Sequence, residues 1–161
     1  MLQYIEANEN DLSRMLDLYN YYLENTTVAF DHSGISLEEF LTRVYIKHNK
    51  YKTFLIMEKE FYGFCFITQF RKKIAYTKTA EIGIYLKPQF TGRGFGPEIV
   101  RHLETTAKRQ QIEVIIASIS SENTASLALF RRLGYTQCAH YEKVAEKFGR
   151  KLDLIHFQKI L

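Results

Sequence analysis

Gly92, Gly94 and Gly96 stand within five residues of one another, interleaved with Arg93 and Phe95 and followed by Pro97. A β-rich run, Ala80 to Leu86, precedes them, and a helical pattern with Ile99, Val100, Leu103 and Ala107 on one face follows. A strand that feeds a glycine loop and then a helix brings free backbone amides and the positive end of a helix dipole to one point. That point suits an anion, and the glycines permit positive φ and close approach by a phosphate. Pro97 has no N–H, so the donors are the amides of Gly92 to Gly96. A Walker A loop needs a Lys-Ser/Thr pair where this chain has Pro97 and Glu98. A Rossmann fingerprint needs Gly-x-Gly-x-x-Gly in an N-terminal unit, whereas this loop reads Gly-x-Gly-x-Gly past mid-chain. A loop that merely turns the chain is the alternative to an anion site.

Glu81 lies in the strand before this loop and shares a face with Gly83, whose missing side chain is expected to leave room beside it. It is the candidate general base, working directly or through water. The competing reading is a surface carboxylate paired with Lys78 or Arg71. Arg71 is a candidate for holding a carboxylate or phosphinate bidentately, with Phe30 and Tyr76 lining the same pocket. His32, His48, His102, His140 and His156 form no metal-like set, so no metal is expected and each reads as a surface or strand histidine. Cys65 and Cys138 lie in apolar stretches, lack metal-ligand spacing and read as buried free thiols.

These residues need a frame. A short strand near Leu2 to Glu6 precedes a helix, capped at Asn10/Asp11, that carries Leu12, Met15, Leu16, Tyr19, Tyr22 and Leu23 at three-and-four spacing. Ser36 and Glu39 form a capping box for a second helix with Phe40, Leu41, Val44 and Tyr45 on one face. Thr53 to Glu58 and Phe61 to Phe70 read as a hairpin turned at Lys59 and Glu60. Val114 to Ser118 is a strand, Asn123 to Leu133 a helix closed by Gly134, and two strands near Gln137 to Ala145 and Leu152 to Ile160 follow. The order β, α, α, β, β, β, α, β, α, β, β implies an α/β fold, with a mixed, mostly antiparallel sheet flanked by helices in one domain spanning 1–161.

The chain has 161 residues and a net charge of +4, with its basic groups in short clusters such as Arg71, Lys72 and Lys73. Nucleic-acid binding would show a denser basic stripe, so it is not expected. No apolar run approaches the ~18 residues of a membrane span and no leader is evident, so a cytoplasmic protein is expected.

Thr91, Gly92, Arg93, Gly94, Phe95 and Gly96 resemble motif A of the GNAT acetyltransferases, Gln/Arg-x-x-Gly-x-Gly/Ala, with Thr91 in place of the usual first residue. Asn123, Ser126, Leu129, Phe130, Leu133, Gly134 and Tyr135 resemble motif B. Thr27 to Asp31, Arg71 to Glu81 with Ile84 and Tyr85, and Lys147 to Asp153 are similar to the phosphinothricin and methionine sulfoximine acetyltransferase branch, with Lys151 where that branch usually has tryptophan. The resemblance implies that the loop amides bind the pyrophosphate of acetyl-CoA and that Ile84, Tyr85 and Leu86 run along its pantetheine arm. It places Asn123 beside that arm and Phe130 beside the sulfur, where relatives carry Tyr or His. It implies acetyl transfer to the amino group of a small amino-acid-like substrate, with no covalent enzyme intermediate, by a homodimer. A protein N-terminal or lysine acetyltransferase and a non-catalytic acyl-CoA-binding protein are the rival readings.

Overall fold

In the computed structural model, which describes residues 1–161, one pair of neighbouring strands is parallel and every other pair is antiparallel. The strands are β1 (Gln3–Glu6), β2 (Lys52–Met57), β3 (Phe61–Gln69), β4 (Thr79–Leu86), β5 (Val114–Ser120), β6 (Thr136–Lys147) and β7 (Arg150–Ile160). The helices are α1 (Leu12–Asn25), α2 (Leu37–Phe40), α3 (Gly96–Arg109) and α4 (Thr124–Arg132). The sheet order is β1-β2-β3-β4-β5-β7-β6, so the expected mixed sheet is present and its one parallel pair is β4 with β5. The long connection through α3 allows that pairing, because parallel strands need a crossover.

Alternation along the strands sends side chains to two cores. Ile82, Ile115, Ala117, Ile119, Ile155 and Phe157 pack on one face, where α3 buries Ile99, Val100, Leu103 and Ala107. Each such burial is worth roughly 1.5–3 kcal/mol for the larger side chains. Leu55, Phe64, Phe66 and Tyr85 pack on the other face against Met15, Tyr19 and Leu23 of α1 and Phe40 of α2. This second cluster draws strand residues only from β2, β3 and β4, so β5, β7 and β6 carry no helix on that side.

Four local expectations are corrected. α1 does start after Asp11, but Asp11 makes no side-chain cap bond to it; the capping box is formed by Asn8 and Asp11 around a short 3-10 turn just before. The Ser36–Glu39 box is present, but the helix it opens ends at Phe40 after one turn, and Leu41 is exposed. Cys138 is exposed, because the long β6–β7 hairpin projects its outer strand into solvent; Cys65 is buried. The hairpin also runs further than expected, to Lys147 paired with Arg150, and turns on Phe148 and Gly149, both at positive φ.

Candidate active site

The parallel ladder is short. Thr79, Ala80 and Glu81 pair with Val114, Ile115 and Ile116, and beyond Glu81 the two strands separate. β4 stays paired with β3 as far as Leu86, so its other edge from Ile82 onward is open toward β5. The gap forms a cavity of about 650 Å³, lined by Ile82 to Leu86, by Ala117 to Ile119, and by the glycine loop and α4. Tyr22 donates its hydroxyl to the Leu86 carbonyl at 2.5 Å at the far end of this edge.

The glycine loop closes that end. Gly92 has φ +70° and Gly94 φ +82°, and a Cβ on either would meet nothing within 4 Å, so conformation rather than space requires glycine there. α3 starts at Gly96 with no side-chain cap, and no backbone carbonyl accepts from the amides of Gly92 to Phe95. These donors are left for a ligand, and the helix dipole favours an anion. Gly92, Gly94, Phe95, Gly96, Asn123 and Phe130 all line the cavity. Arg93 does not; its guanidinium lies over Phe90, 5.3 Å from the ring centre, and Arg132 supplies the lining cation instead. The Asn123 side chain caps α4 by accepting from the Ser126 amide at 3.2 Å. Phe130 packs edge-on to Tyr135 at 4.9 Å; Tyr135 lies behind it, buried, outside the cavity, and its hydroxyl has no partner.

A second cavity of about 520 Å³ opens on the helix-free side of β5 and β7. Glu81, Arg71 and Phe30 line it, whereas Tyr76 stands outside, edge-on to Phe70 at 5.8 Å. Val28, Tyr85 and Ser118 line both cavities, so the two meet there. Glu81 pairs with neither expected cation: Lys78 binds Glu113 at 2.6 Å, and Arg71 lies over the Phe70 ring at 4.9 Å. The room expected beside Gly83 is taken by a ring, since a Cβ there would sit 2.2 Å from Phe66 Cζ. Gly83 thus admits Phe66 under β4 rather than freeing space for a substrate.

The roof is the segment after α1. Lys147 donates to the Ala29 carbonyl at 2.8 Å, Thr27 to Glu122 at 2.7 Å, and Arg150 pairs with the same carboxylate at 2.8 Å. Tyr19 in the cavity wall donates to Asp31 at 2.5 Å, and Arg43 holds both Asp31 oxygens at 2.9 and 2.5 Å. The Arg43 guanidinium lowers the Asp31 carboxyl below its usual value, and burial raises the Tyr19 hydroxyl.

Sequence reading passed over Tyr19, Ser118, Ser120 and His156, all of which line this cavity. One signal was available: serines at alternate positions of the apolar run Val114 to Ser120 mark one face as polar. His156 pairs with Ser118 across β5 and β7. Burial pushes its imidazole below the usual value, with Glu81 opposing the shift and Arg71 adding to it.

Known proteins share this fold. The chain is 30% identical over 159 residues to an L-methionine sulfoximine/L-methionine sulfone acetyltransferase of Pseudomonas aeruginosa, covering 95% of this chain and 91% of the other. It superposes with a TM-score of 0.90 and 26% identity on a GNAT superfamily phosphinothricin acetyltransferase of Sinorhizobium meliloti solved with acetyl-CoA, covering 100% and 88%. A ribosomal-protein-alanine N-acetyltransferase of Brucella melitensis gives 0.86 and 28%, covering 100% and 99%. The acetyltransferase (GNAT) domain matches residues 5–156, and the chain belongs to that family.

Proposed function

We propose that the protein transfers the acetyl group of acetyl-CoA to the amino group of a small amino-acid-like substrate of the phosphinothricin or methionine sulfoximine type. One observation carries this reading: a cavity ending in free loop amides meets a second cavity that holds a carboxylate without an ion pair and an arginine. The amides of Gly92 to Phe95 and Arg132 fit a pyrophosphate, and the open edge of Ile82 to Leu86 fits an amide-bearing arm. Acetyl-CoA supplies an activated acyl group and a thiol leaving group.

The chain's own residues do the rest. Arg71 holds the substrate carboxylate, Glu81 takes a proton from the reacting nitrogen, and Phe30 with the roof segment excludes water. Phe130 has no proton to give and serves as an apolar wall. The reading includes a cytosolic setting and a homodimer. The dimer is supported by the helix-free face of β5, β7 and β6, together with exposed Tyr141, Val144 and Phe148 on the same hairpin.

The test is thiol release across a panel of amino acids, sulfoximines, phosphinothricin and peptides. Rapid release with a free amino acid analogue and about a 10²-fold loss in Glu81→Gln are expected. Preference for peptides would move the acceptor to a protein terminus, and binding of acetyl-CoA without turnover would leave a binding protein. Sedimentation at micromolar concentration should give a species of twice the chain mass.

A further inference from the structure

The second cavity contains another titratable side chain whose position follows from the strand register. On the face that floors this cavity, Glu81 pairs with Ile116, and Ser118, two residues further along β5, pairs with His156. Ser118 and His156, directly opposed in the antiparallel β5–β7 pair, stand about 4.5–5.5 Å apart at Cβ, while β4 diverges from β5 beyond Glu81. Glu81, Ser118 and His156 thus form a row on one face of three neighbouring strands, all lining this cavity, with Ser118, which lines both cavities, at its centre. The His156 ring packs edge-on to Tyr141 at 5.2 Å and carries no ion pair, unlike His140, which binds Asp153 at 2.8 Å.

We infer that His156 is a proton acceptor for the incoming amine, sharing that role with Glu81. The inference rests on the acetyl-transfer reading above. An imidazole is a stronger base than a carboxylate, so it takes a proton from an alkylammonium group with a smaller uphill step. Burial keeps the imidazole neutral and able to accept at neutral pH, and Glu81 stabilises the imidazolium that forms. The other charged or titratable groups around the cavity are Arg71 after β3, Tyr85 on β4, Tyr19 on α1 and Tyr141 on β6. Burial holds Tyr19 and Tyr85 as neutral hydroxyls, which leaves Glu81 and His156 to accept the proton.

His156 takes one proton from the substrate ammonium, and the freed nitrogen lone pair bonds to the acetyl carbonyl carbon as the carbon–sulfur bond breaks. The nitrogen gives up a second proton, to Glu81. One proton ends on the departing sulfur and the other passes from the row to solvent.

The test compares wild type, His156→Asn and His156→Gln by the pH profile of kcat/KM, with L-methionine sulfoximine as first probe amine, and adds an NMR titration of the His156 ring. Both variants keep hydrogen-bonding capacity without a titrating nitrogen, so a merely structural histidine would be replaced by one of them. Expected are a loss of roughly 10- to 10²-fold at pH 7 in both and unchanged acetyl-CoA affinity. The acidic limb should lose the inflection that NMR assigns to His156, below ~6.5. Glu81→Gln should move the ring titration further down. Wild-type turnover with an unchanged rate and profile in either variant, or a ring titration indifferent to Glu81→Gln, overturns the role of His156 and leaves acetyl transfer standing. Absence of wild-type turnover with every amine, with acetyl-CoA bound, overturns acetyl transfer and the role of His156 together.

Discussion

The Thr27 hydroxyl donates to the Glu122 carboxylate at 2.7 Å, tying the segment after α1 to the turn after β5 across 95 residues of sequence. Thr27→Val keeps the shape and removes the donor, while Glu122 retains Arg150. The expected cost is about 1 kcal/mol of stability, the net worth of one hydrogen bond. A several-fold rise in KM for the amine, with acetyl-CoA affinity unchanged, should accompany it. An unaltered KM would show that the roof holds its place without this bond.

Gly94 sits at φ +82° with open space where a Cβ would go. Gly94→Val puts its Cβ in open space but forces a β-branched residue into a left-handed conformation, at roughly 1–2 kcal/mol. Relief of that strain is expected to turn the loop amides away from the proposed anion. Calorimetry should find acetyl-CoA binding weakened about 10-fold or more. Wild-type affinity would place the anion elsewhere.

Phe130 is buried in the wall of the glycine-loop cavity, with Tyr135 behind it. Phe130→Leu should keep kcat within about 10-fold of the parent, because loss of a true general acid costs ~10² or more. A larger fall with fold and cofactor affinity intact would give the ring itself a part in the chemistry.

His102 stacks on Tyr4 at 3.9 Å and meets Phe54 edge-on at 4.7 Å, and its Nε2 is buried without a partner. Burial, with help from Arg109, lowers its pKa in the folded protein. The unfolded chain therefore binds this proton first as pH falls, so stability is fully present above ~6.5 and declines below it until the folded state also protonates. Thermal unfolding should show that decline, and His102→Phe should flatten it. Identical pH dependence in the two proteins would remove His102 as its source.

The amino-acid sequence disclosed most of the frame, because apolar spacing determines which face of a strand or helix is buried. The α3 face of Ile99, Val100, Leu103 and Ala107 and the glycine loop were both legible in this way. The α2 helix was over-read: a capping box starts a helix, but nothing in it sets the length. The acceptor cavity was half hidden. Glu81 and Arg71 stood out beside the loop, but Tyr19, Ser118 and His156 come from three other elements. His156 joins Ser118 only through the insertion of β7 between β5 and β6, and Tyr19 joins them through the packing of α1 on β4, neither of which local pattern encodes. The filling of Gly83's space by Phe66 was likewise a contact between strands, invisible along one.

That inserted strand also orders events in time. All the lining of the glycine-loop cavity lies at or before Arg132, whereas the acceptor cavity draws on Tyr141, Val144, Leu154 and His156. Its roof is pinned by Lys147 to Ala29, a contact spanning 118 residues. Contacts of such separation form late, after the loop-closure entropy between them has been overcome. A chain without the hairpin keeps every residue that lines the glycine-loop cavity and lacks four that line the second one. Loss of the hairpin is therefore expected to silence acetyl transfer before it abolishes acetyl-CoA binding.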